Sequence, residues 1–161
     1  MEQKQLLQNI INALREQKQT ITFAESCTGG RIAAAFTTIG GASDVFNGSV
    51  VSYSNNIKHK WLGVRRETLE NFGAVSEHCV NEMLTGIVKM AYADYAMAVS
   101  GIAGPNGGTE LKPVGTVFIG IIEPSGATDI HHCLFKGSRE AIQNQSVDFA
   151  INLIAKKLNL I

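Results

Sequence analysis

The sequence predicts an α/β protein in which a mixed β-sheet is sandwiched between helices. Three observations lead there. Apolar residues recur at three-to-four spacing in several long segments, and short β-branched or apolar runs of strand length lie between them. The two kinds of element also mingle without the strict alternation of a purely parallel sheet. With 161 residues, 45% of them apolar and 17% charged, the chain is expected to bury one core and to fold as a single domain over residues 1–161.

Taken in order, Leu6, Leu7, Ile10, Ile11 and Leu14 predict an amphipathic helix over 3–17. "TITFAE", residues 20–25, reads as a buried strand. Ile32 to Phe36 form a short apolar helix that the glycines of "TIGGAS" end. "FNGSVVSYS", 46–54, is strand-like, and "NNIKHKWLGV" follows as a polar turn leading into a short helix or irregular segment. From Ser76, a good N-cap with Glu77 in the first turn, a helix over 77–93 carries Val80, Met83, Leu84, Ile87, Val88 and Ala91 on one face. "YAMAVS" (95–100), "VGTVFIGII" (114–122) and "DIHHCLF" (129–135) are three further strands. A helix from Ser138 to Leu160 closes the chain, with Ile142, Phe149, Leu153, Ile154 and Leu158 facing the sheet.

Charge narrows the function classes. Lys plus Arg and Asp plus Glu are both 14, so no basic field exists to hold a nucleic-acid backbone or a membrane surface. The N-terminal stretch is polar and lacks an apolar run of signal or membrane-span length, so a cytoplasmic protein is expected. Cys27, Cys79 and Cys133 are an odd, scattered set and are read as reduced thiols. His131 and His132 are adjacent in a strand and point to opposite faces. His131 and Cys133 share a face without a second pair, so no metal site is expected.

Three stretches are candidates for chemistry. At "ESCTGG", 25–30, a helix cap accounts for one hydroxyl but not for Ser26, Cys27, Thr28, Gly29 and Gly30 together. Glycines at a helix N-terminus also let free amides approach an anion or a developing oxyanion. "GIAGPNGGTELKPVGT", 101–116, places five glycines at the end of a core strand, where α/β proteins bind ligands. It matches neither the phosphate loop nor the dinucleotide fingerprint. Tyr53 and Lys58, read alone, are a half-buried tyrosine and a solvated lysine.

Together "AESCTGG", "VVSYSNNIK", "LGV", "GAVSE", "SGIAGPNGG" and "KPVGTV" resemble the CinA family, in the same order and over about residues 5–158. The resemblance is to its carboxy-terminal domain, which as a stand-alone protein is a nicotinamide mononucleotide amidase. It implies a three-layer α/β/α fold and hydrolysis of the nucleotide's carboxamide to nicotinic acid mononucleotide and ammonia. It implies no cofactor, no metal, and a homo-oligomer whose partner is a small-molecule nucleotide. By that resemblance Ser26 is the nucleophile, with Tyr53 and Lys58 completing the catalytic set.

The substrate contacts expected are Cys27, Thr28, Gly29 and Gly30 at the junction and Gly101, Gly104, Gly107, Gly108, Lys112 and Thr116 in and after the second loop. Arg139 of "GSR" is expected to hold the phosphate, with Thr28 and Lys112 beside it. A serine needs a base. Bringing a lysine from a pKa of about 10.4 to about 7.5 takes roughly 4 kcal/mol of bias against its charged form, so Lys58 is expected to be desolvated and Tyr53 to link it to Ser26 or to help return the proton to the leaving ammonia. Cys27, a thiol at a helix N-terminus, is the rival nucleophile on the residues alone. A non-catalytic nucleotide-binding module and an amidase for another pyridine nucleotide are the other readings of the same residues.

Overall fold

A computed structural model describes residues 1–161. The helices are α1 (Gln3–Gln17), α2 (Arg31–Thr37), α3 (Asn55–Leu62), α4 (Arg66–Phe72), α5 (Glu77–Ala91) and α6 (Arg139–Lys157). The strands are β1 (Ile21–Glu25), β2 (Val50–Val51), β3 (Tyr95–Gly101), β4 (Thr116–Ile122) and β5 (Thr128–Leu134). They form one sheet of order β2-β1-β3-β4-β5. β1 runs parallel to β2 and β3, while β4 and β5 continue antiparallel. The mixed sheet and its helical covering agree with the sequence reading.

Two cores separate the layers. Alternate residues of β1 and β3, Phe23 and Met97 among them, point toward α1, α2 and α6 with Ile10, Phe36 and Ile151. Their neighbours Ala24, Ala96 and Ala98 point the other way, to Leu62 of α3 and to Val80, Met83 and Leu84 of α5. Small side chains on that second face let α5 lie close to the central strands, as period-two alternation permits. No helix is long and apolar enough to cross a membrane.

Three segments depart from the expectation. The strand expected over 46–54 shrinks to Val50–Val51, because β2 is a sheet edge that pairs only Ala24↔Val50 and Glu25↔Val51. Phe46 instead packs its ring on Phe23 at 5.4 Å, and the Gly48 carbonyl accepts a bond from the Thr22 hydroxyl. The polar turn expected after it is helix α3 from its first residue: Ser54 caps it by accepting from the Ile57 amide, and Gly63 closes it at φ 72°. Between them and α5 lies α4, which the apolar pattern does not reveal.

Since β1, β2 and β3 are parallel, their C-terminal ends share one edge of the sheet. The segments that leave them, 26–30, 52–54 and 102–115, therefore crowd together there, the usual ligand position in such sheets.

Candidate active site

The junction after β1 is built around a buried carboxylate. Glu25, 0% exposed, accepts from the Thr28 hydroxyl at 2.6 Å and from the amides of Ile32 and Ala33 at 2.9 and 3.0 Å. It thus occupies the first-turn donors of α2, which the sequence reading had left open to an anion. Thr28 is consumed by the same arrangement, so its side chain is a brace and the expected phosphate contact is not made by its hydroxyl. Gly29 and Gly30, at φ 58° and 98°, make the tight entry into α2.

Ser26 is 7% exposed and sits at the mouth of this junction. Lys58, carried by α3 and 1% exposed, brings its Nζ to 2.9 Å from Ser26 Oγ. The same Nζ donates to the Ser52 carbonyl at 2.8 Å and to the Tyr53 carbonyl at 3.3 Å. A charged ammonium would satisfy all three acceptors with its three protons. A neutral amine would give its two protons to the carbonyls and turn its lone pair to the serine hydroxyl. Burial favours the neutral form and lowers the lysine pKa from its ordinary 10.5, against smaller opposing contributions from Cys79 and Cys27. The solvated lysine that spacing alone suggests is therefore replaced by a desolvated one.

Cys27 has the opposite character. It is packed in the core under α2 and α6, and burial pushes its thiol up to about 12, with its own backbone and Lys58 pulling weakly the other way. Such a thiol is not ionised near neutral pH, and the thiolate is the nucleophilic form. Of the two candidates, only the Ser26 side chain has the Lys58 amine within hydrogen-bond distance.

Around Ser26 lies a pocket of about 250 Å³. Its wall combines Ser26, Cys27 and Lys58 with Tyr53 and Asn55 from the β2–α3 turn, Ala74 and Val75 before α5, and Arg139 at the head of α6. The stretch from Ser100 to Gly107 closes it, Gly101 and Gly104 included. No Asp or Glu lines it. Arg139 donates from Nη1 to the Gly104 carbonyl at 2.6 Å and from Nη2 to the Tyr53 hydroxyl at 2.8 Å, tying three remote segments together at the rim. The Tyr53 phenol is thus held by Arg139, and the expected link from Tyr53 to Lys58 runs through its main-chain carbonyl.

Other expected contacts stand outside this wall. Lys112 donates to the Phe72 carbonyl at 2.6 Å, strapping the 101–116 loop to the end of α4. The Thr116 hydroxyl turns back to the Pro113 carbonyl at 2.6 Å. Gly108 lies against the returning limb of its own loop, where an added Cβ would come 2.7 Å from the Val114 nitrogen.

Residues that sequence reasoning passed over are Asn55, Ser100, Asn106 and Gln143. The first three stand inside segments already singled out, at a strand end or turn. Gln143 gave no signal: it is a polar residue on a helix, 7% exposed, whose Nε2 donates to the Cys27 carbonyl at 3.0 Å across 116 residues of sequence.

Comparison with known proteins gives a consistent picture. The model of the CinA C-terminal domain family matches residues 3–158. A CinA-like protein of Endomicrobium trichonymphae is 52% identical over 145 residues, and the aligned stretch spans 90% of this chain but 34% of that protein. The nicotinamide-nucleotide amidohydrolase PncC of Escherichia coli K12 is 45% identical over 150 residues, 93% of this chain and 91% of that one. Among solved structures, a competence-damaged protein (CinA) superfamily protein from Klebsiella pneumoniae superposes with a TM-score of 0.93 at 39% identity, over 99% of both chains.

Proposed function

The chain belongs to the CinA C-terminal domain family, and on that premise we propose that it is an amidohydrolase converting nicotinamide mononucleotide to nicotinic acid mononucleotide and ammonia. The likeness to PncC over nearly its whole length supports the activity. The observation that carries the chemistry is the buried 2.9 Å contact between Lys58 Nζ and Ser26 Oγ.

In this reading Lys58 takes the Ser26 proton as Oγ bonds to the carboxamide carbon, and the carbonyl electrons move onto oxygen. Cys27 lines the pocket and its amide has no partner in the protein beyond its own thiol, so that amide is the donor we assign to the oxyanion. Collapse breaks the carbon–nitrogen bond, and Lys58 returns the proton to the departing ammonia. Water then attacks the acyl-Ser26 ester: Lys58 accepts a water proton, the ester bond to Oγ breaks, and the proton goes back to Ser26. Arg139, with guanidinium protons beyond the two it uses on Gly104 and Tyr53, is the group for the nucleotide phosphate.

The experiment is ammonia release from nicotinamide mononucleotide by the purified chain beside folded Ser26→Ala, Lys58→Ala and Cys27→Ala. The first two are expected to lose activity by about a thousandfold or more and the third to keep most of it. A Cys27→Ala enzyme as dead as Ser26→Ala would sink the assignment of the nucleophile. Binding without ammonia release by the unmutated chain would leave a nucleotide-binding module in its place.

A further inference from the structure

The Gln143 contact lies where nothing in the proposed chemistry uses it. Ser26 to Gly29 form a β-turn closed by the Gly29 amide on the Ser26 carbonyl at 3.0 Å, with Cys27 and Thr28 at its centre. The peptide between those two residues is trans, so its carbonyl and its N–H point in opposite directions. Gln143 holds the Cys27 carbonyl toward the layer that carries α6. The Thr28 N–H end therefore points away from α6, and that N–H has no acceptor in the protein. Thr28 is 0% exposed and does not line the pocket, so this end acts on the site through its dipole from behind Ser26 and Cys27.

We infer that Gln143 is a positioning residue for the amide hydrolysis, fixing the 27–28 peptide with its positive end toward the oxyanion, next to the donating Cys27 amide. The inference rests on the proposed role of Ser26. A β-turn can rotate its central peptide with little movement of its ends, which would turn the Cys27 carbonyl to the pocket and set a negative dipole against the developing charge. Thr28 opposes that rotation from the backbone: the rotated turn needs positive φ at its second central residue, which a β-branched residue disfavours. Gln143 opposes it from the other end, because a carbonyl facing a dry layer needs a donor. Gln143 stands one helical turn beyond Arg139, so the first turns of α6 hold both the pocket rim and the nucleophile's turn.

The test replaces Gln143 by Met, which keeps the length and removes the donor. Turnover of nicotinamide mononucleotide per folded molecule is expected to fall about tenfold or more with KM within about twofold, since an oxyanion dipole acts on the transition state and not on bound substrate. Nucleotide affinity measured on a Ser26→Ala background is expected not to move. A merely structural role would instead lower the folded fraction and leave turnover per folded molecule intact, overturning the inference. Gln143→Leu, close in size and without a donor, gives the same readout if the Met variant does not fold.

A second probe separates this inference from the amidase reading. A fluorophosphonate forms a bond from Ser26 Oγ to phosphorus with loss of fluoride, the serine proton going to Lys58, and its P=O oxygen takes the same donors. Labelling about tenfold slower in Gln143→Met supports the positioning role even if the unmutated chain releases no ammonia from the nucleotide. Equal labelling rates overturn it, and an unmutated chain that does not label at Ser26 overturns it together with the nucleophile.

Discussion

At the scale of single residues, Lys58 faces a serine hydroxyl, two carbonyls and two thiols, and no carboxylate. Its lowered pKa has two consequences of known sign. In the proposed mechanism a neutral amine is the base, so kcat/KM is expected to rise with pH through a limb that lies below the ordinary lysine value of 10.5, and a pH–rate profile locates it. A limb at 10.5 would mean that the lysine is not desolvated.

Folding obeys the same linkage. In the window between the lowered folded value and 10.5 the unfolded chain binds more protons, so stability rises with pH there, and the cost of the buried charge is fully present below the window. Cys27 and Cys79, raised from 9.0 to about 12 and about 11, run the other way: the stability they favour is lost as pH rises above 9. The melting temperature of the unmutated chain minus that of Lys58→Met isolates the lysine and is expected to increase with pH. Part of this was legible beforehand, since a serine without a placed histidine asks for a lysine. The burial that makes the lysine usable was expected from that demand for a base and not from the segment itself, because spacing alone reads "SNNIKHK" as solvated.

At the scale of elements, what places that lysine is the packing of α3 on α5. Gly86 stands mid-helix in α5, where glycine costs about 1 kcal/mol against alanine. A Cβ there would overlap the carbonyl group of Leu62, the last residue of α3 and one turn beyond Lys58. Gly86→Ala is therefore expected to reverse the usual propensity gain, costing about 1–3 kcal/mol in urea unfolding and lowering turnover as α3 is pushed off Ser26. A more stable Gly86→Ala enzyme with full activity would show that α3 has room to spare.

Elements were legible where a face is apolar and periodic. The expected helices over 3–17, 77–93 and 138–160 correspond to α1, α5 and α6 within three residues at each end. α4 escaped because only Thr68 of its seven residues is buried, which leaves no stripe to read. β2 was overdrawn because an edge strand's length depends on how far its neighbour pairs with it, a fact held by β1 and not by the segment itself.

At the scale of the whole molecule, the pocket brings together groups that the chain keeps far apart: Lys58 lies 32 residues from Ser26, and Arg139 lies 86 from Tyr53. Motif order suggested that these residues belong to one site, but not which atom meets which, since the parallel register of β1, β2 and β3 that gathers their loops is not written in any one of them. The assembly has an electrostatic result. The chain has no net charge, yet the pocket carries Lys58 and Arg139 and no carboxylate, so an anionic ligand is favoured there over a neutral one. In the proposed mechanism Lys58 is neutral, and that preference then falls on Arg139. Removing the phosphate from the substrate, as in nicotinamide riboside, is expected to lower kcat/KM about 10- to 100-fold, the value of one or two charge-assisted hydrogen bonds. Arg139→Ala should cost the nucleotide a similar factor while leaving the riboside nearly unchanged, because the two changes remove the same interaction. Equal losses on both substrates would instead make Arg139 a tie between Tyr53 and the Gly104 loop, and the phosphate would have to be met by the loop amides.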